Sequence, residues 1–120
     1  MDDNTPVIIG VGQVSERVGE HAYLERGPMD LAGDALAAAL ADAGARRKLA
    51  PALDTIAAIR QFEISGTRYG APFGHASNPP RAIAKRVGAR PQRAILEIVG
   101  GAEAVYVDFR FCFPGDGNDI

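Results

Sequence analysis

Arg93 to Gly101 reads RAILEIVGG, a short apolar run of the kind that forms a buried strand, closed by two glycines. A strand of this type carries the backbone to the edge of a sheet, and paired glycines permit a sharp turn or a close backbone approach. Chemistry is to be expected just past that turn. The segments on either side decide which fold supplies the strand.

Immediately upstream, Asn78 precedes Pro79 and Pro80. Asparagine caps free helix amides and proline is tolerated in a first turn, so a helix is predicted over Arg81 to Val87. Gly88 ends it, and Pro91 separates it from the strand itself, expected over Ala94 to Val99. Earlier, Asp54 to Arg60 (DTIAAIR) reads as another strand, and Gln61 to Asn78, with Gly66, Gly70, Pro72 and Gly74, as a long irregular loop.

Towards the N-terminus, Pro28, Asp30 and Gly44 bracket a further helix. Leu31, Ala35, Leu36, Ala39, Leu40 and Ala43 form one apolar stripe along it, and its many alanines predict close packing onto a sheet. Arg46, Arg47 and Lys48 follow as a solvated cationic cap in a linker running from Ala45 to Leu53. Gln13 to Gly27 is a mixed, glycine-containing surface loop, and Pro6 to Val11 a β-branched run expected to be a first strand buried on both faces. Strand, helix, strand, helix, strand is the order of a mainly parallel α/β sheet with flanking helices.

Past Gly101 the character changes. Half of the eight aromatic residues fall at Tyr106, Phe109, Phe111 and Phe113, and apolar residues alternate from Val105 to Phe113, a strand pattern. The chain divides on this evidence into residues 1–101 and a divergent tail, 102–120.

A chain of 120 residues with 47% hydrophobic content accommodates one domain with a real core. A net charge of −2 argues against a polyanion partner, and nucleic-acid binding is not expected, although Arg81, Lys85, Arg86, Arg90 and Arg93 are dense enough to form a local positive face. The lone cysteine, Cys112, cannot form an internal disulfide, which points to the cytoplasm. The acidic N-terminus is unlike a secretory signal, and no stretch approaches the length of a membrane span.

Isolated chemical candidates each have a simpler structural reading. Gly10-Val11-Gly12 suggests a dinucleotide fingerprint, but Ser15 stands where the third glycine belongs and the helix is delayed to about Pro28. Cys112 lies in an aromatic strand-like tail with no adjacent histidine to lower its pKa. His21 and His75 lack metal-ligand spacing; His75, in FGHASNPP, is the better candidate, with loop hydrogen bonding as its simpler role. Asp30 and Asp34 share a helix face, and their place in the first turns explains them through the helix dipole without acid/base chemistry.

Taken in order, TPVIIGVGQ, PMDLAGDALAAALADAG, NPPRAIAKRVGA and RAILEIVGG resemble the N-terminal part of thiolase-superfamily proteins, especially bacterial thiolase-like acetyl-CoA acetyltransferases. The resemblance spans about residues 5 to 101. It implies the incomplete N-terminal half of a layered α/β fold, usually dimeric, and acyl transfer between coenzyme A thioesters within lipid metabolism. The coenzyme A thioester would be a substrate, with no permanently bound cofactor, no metal and no membrane partner. It also implies a nucleophilic cysteine at the start of the helix after the third strand, where a helix N-terminus favours a thiolate. Here that turn reads Val99, Gly100, Gly101 and Ala102. No residue of this chain is therefore assigned a catalytic role, Cys112 comes too late to stand in, and His75 precedes the third strand. Residues 102–120 are expected to derive from a frame shift or truncation, leaving the chain inactive alone. The alternative reading is a noncatalytic assembly module that pairs through an unfinished sheet.

Overall fold

The computed structural model describes residues 5–59, 74 and 76–97. It contains helix α1 (Pro28–Asp42), a 3-10 turn (Ala50–Ala52), strand β1 (Thr55–Ile59), helix α2 (Pro79–Arg86) and strand β2 (Arg93–Glu97). The two strands pair in parallel, with Ile56 beside Ala94 and Ala58 beside Leu96. This is the α/β class expected from the sequence. The end of the expected third strand, most of the 61–78 loop, His75 and the 102–120 tail with Cys112 lie outside the described residues.

Both helices start where local chemistry predicts. Asn78 accepts a hydrogen bond from the Arg81 amide at 3.3 Å, capping α2, and the two prolines occupy positions whose amides would have no intrahelical partner. At α1 the Gly27 amide donates to the Asp30 carboxylate at 3.3 Å, so Asp30 both faces the helix dipole and satisfies the backbone just before the helix.

The core forms where α2 lies over the sheet. Ile56, Ala58, Ile83, Ala84 and Ala89 are buried together, joined by Met29 and Leu36 from α1 and by Leu53. Helix α2 is the element that packs on both strands, and α1 packs chiefly on α2. The expectation that α1 lies on the sheet through its alanines is therefore corrected. Its buried positions are Met29, Gly33 and Leu36, whereas Ala35, Ala39 and Ala43 meet the N-terminal segment.

The expected first strand is also corrected. Pro6 to Val11 adopts no strand and runs outside the core with Ile8 87% exposed and Val7 and Val11 largely exposed. It is held on α1 by backbone. A Cβ at Gly12 would sit 2.2 Å from the Ala35 carbonyl oxygen, and one at Gly10 2.3 Å from that of Ala39, so only glycine permits this approach. The Val11 amide donates to the Asp42 carboxylate at 2.9 Å.

Candidate functional site

Two polar constructions stand out. The first closes the Gln13–Gly27 loop. Glu16 accepts the Arg26 side chain at 2.9 Å and the amides of Leu24 and Arg26 at 3.2 and 3.3 Å. Its side chain is almost covered, and desolvation works to raise its pKa; the Arg26 side chain, the two amides and the Arg26 charge outweigh that and hold the carboxyl below its usual range. The hydrogen bond that Arg26 donates to Glu16 in turn raises the Arg26 pKa, against desolvation, and Arg26 also pairs with Asp34.

Asp30 and Asp34, which share a helix face, thus point to different cations. Arg86 donates to Asp30 at 2.7 Å and to the Ala82 carbonyl at 2.9 Å, tying α2 to α1. The Arg86 hydrogen bond is the main influence lowering the Asp30 carboxyl; desolvation opposes it, while the Arg86 charge, the Gly27 amide and the Arg26 charge reinforce it. Paired with arginines of other elements, these carboxylates serve structure, as their sequence positions suggested.

The second construction is a depression of about 510 Å³ beside the C-terminal half of α2, lined by Arg81, Ala84, Lys85, Gly88, Ala89, Arg90 and Pro91. Arg81 and Lys85 stand one helical turn apart on α2. The chain turns at Gly88, at a φ of +76° that favours glycine, and brings Arg90 to the far side. The Arg81 guanidinium is fixed by donation to the carbonyls of Pro91 at 3.0 Å and Gln92 at 3.3 Å. Ala84, Ala89 and Pro91 are buried and supply an apolar floor.

The five basic residues dense in the sequence therefore do not form one face. Arg86 turns to Asp30, and Arg93 donates to the Thr55 hydroxyl at 3.2 Å; only Arg81, Lys85 and Arg90 share the depression. The four-residue spacing of Arg81 and Lys85 carried part of this signal, while the return of Arg90 depends on the Gly88 turn.

Other candidates are placed less suggestively. Gly10 and Gly12 meet the C-terminal half of α1, away from its first amides, so they lack the helix-terminus geometry of a dinucleotide site. His21 is exposed in the N-terminal loop. Among the described residues no group of three His, Cys, Asp or Glu side chains could hold a metal ion, and no helix is long and apolar enough to cross a membrane. His75, Gly100, Gly101 and Cys112 lie outside the described residues.

The parallel β1–β2 pair with α2 between them in sequence and α1 on its outer side is part of a thiolase-like α/β fold. Among solved structures the chain is similar to a monomeric SCP2-thiolase-like protein type 1 from Mycobacterium smegmatis, at 38% sequence identity and a TM-score of 0.64. The similarity covers 89% of this chain and 20% of that one, so the chain spans about a fifth of the length of the protein it matches. No protein-family model matches the chain. No curated protein matches it either.

Proposed function

We propose that this chain is the N-terminal segment of a thiolase-like protein of the acetyl-CoA acetyltransferase type, working on coenzyme A thioesters in the cytoplasm, and that it does not turn them over by itself. The observation that carries this reading is the 38% identity to the SCP2-thiolase-like protein, maintained over 89% of the chain. The sequence that follows β2 supports the second part. Acyl transfer of this kind needs a thiolate whose pKa is lowered, and Val99, Gly100, Gly101 and Ala102 offer none. A homodimer is part of the proposal, through the resemblance.

The test is an acetyl-CoA thiolysis assay on the purified chain, with Cys112→Ala beside it. No turnover in either is expected. Turnover that disappears in Cys112→Ala would overturn the assignment of Cys112 as a bystander. A second reading, an assembly module without catalysis, is favoured by the exposed Val7, Ile8 and Val11 and by the half-exposed Ile95 on β2. Concentration-dependent association without coenzyme A chemistry, measured by sedimentation, would select it.

A further inference from the structure

The depression beside α2 gathers positive charge that no ion pair among the described residues neutralises. Three cations, Arg81, Lys85 and Arg90, line it, and among the described residues no carboxylate does. Asp30 is committed to Arg86, and Glu16 and Asp34 to Arg26. Arg81 spends two donors on the Pro91 and Gln92 carbonyls, which fixes its plane and leaves the remaining guanidinium N–H groups free to donate. The side chains of Lys85 and Arg90 lie on exposed residues and enter no hydrogen bond or ion pair among the described residues.

Three like charges around one hollow repel one another, and an anion seated between them relieves that repulsion. The shape of the arrangement selects among anions. A carboxylate offers two oxygens in one plane, enough for one guanidinium fork. Cations approaching from α2 and from the 88–91 turn call for a tetrahedral group with acceptors on several sides. The floor of Ala84, Ala89 and Pro91 leaves room for a flat apolar portion of the same ligand. A net charge of −2 supplies no broad positive field for a nucleic acid, which favours a small molecule.

We propose that the depression formed by Arg81, Lys85 and Arg90 is a binding site for the phosphate group of a small phosphorylated ligand. Arg81 is the prefixed donor, and Lys85 and Arg90 close on the remaining oxygens. The site is independent of the acyl-transfer reading and stands if that reading fails.

The experiment is a titration of the isotopically labelled full chain with inorganic pyrophosphate and, separately, with ADP, following the amides of Gly88, Ala89 and Arg90 by NMR. Saturable shifts in these amides are expected. Binding should weaken at least about tenfold in Lys85→Glu and in Arg90→Glu, because each replaces an attractive charge by a repulsive one. Lys85→Gln and Arg90→Gln, which remove the positive charge without adding a negative one, should weaken it less, and dispersed spectra would establish that each variant is folded. Arg46→Glu with Arg47→Glu, in the other cationic run, should leave binding unchanged. Tighter binding of ADP than of pyrophosphate would show that the ligand is a nucleotide-like molecule using the apolar floor; equal binding would show that the phosphate group alone is the ligand. Shifts that grow linearly without saturation, or an equal loss in the Arg46/Arg47 control, would overturn the site.

Discussion

β1 and the Pro6–Val11 segment are built from similar residues and meet opposite fates. Thr55 to Ile59 lies beside β2, with Ile56 wholly buried under α2. Val7, Ile8 and Val11 run along α1 with their side chains largely in solvent. β-branched composition makes a segment fit for a half-buried pleated surface, but it does not supply the surface. For β1 the partner is β2, delivered by α2; for Pro6–Val11 the neighbour is a helix that offers close backbone contact and no ladder.

The largest break in this comparison comes from trimming one isoleucine in each region. Ile56→Ala should destabilise the chain by about 2–5 kcal/mol, since it removes a fully buried side chain from the centre of the core. Ile8→Ala should change stability by no more than about 0.5 kcal/mol. Urea denaturation of the two variants measures both, and equal losses would mean that the two segments are not energetically distinct.

The contact that does hold the N-terminal segment is tested by Gly12→Ala. The added methyl would meet the Ala35 carbonyl at 2.2 Å and the Ala39 amide nitrogen at 2.5 Å, both backbone atoms of α1 that cannot swing aside. A cost of about 1–3 kcal/mol is expected, or release of the segment from α1, visible as loss of the shift signature of the Val11 amide bonded to Asp42.

What the sequence made legible follows the range of the forces involved. Asn78 with Pro79 and Pro80, and Pro28 with Asp30, act within one turn, so both helices were readable to within a residue or two. The parallel β1–β2 pairing followed from the order of elements. The status of Pro6–Val11 was not readable, because burial of a strand depends on a partner that local pattern does not name. The reach of Arg86 to Asp30, 56 positions away, and the gathering of Arg90 with Arg81 and Lys85 were hidden for the same reason.

A smaller effect sharpens the role of α2 as the organiser of the paired region. The Arg86–Asp30 pair is partly exposed, at 38% and 46%, so solvent screening keeps its contribution small and Arg86→Ala should lower the thermal midpoint only slightly at neutral pH. Asp30 sits below its ordinary value of 3.8, so the stabilisation is complete above that value and is lost as the pH falls through the lower folded value. Thermal midpoints of the wild type and the variant should therefore converge as the solution is acidified through that window. A gap that persisted after Asp30 is protonated would assign the effect to packing of the arginine stem.

Amide hydrogen exchange on the intact chain tests most directly the claim that the core is the α2–β1–β2 unit and that the N-terminal β-branched run lies outside it. The account predicts slow exchange, set by global unfolding, at the β1 and β2 amides that join the ladder, and fast exchange at Val7, Ile8 and Ile9, with Val11 intermediate through Asp42. Protection at Val7 to Ile9 equal to that of β1 would contradict it, and would make Pro6–Val11 a strand of the sheet after all.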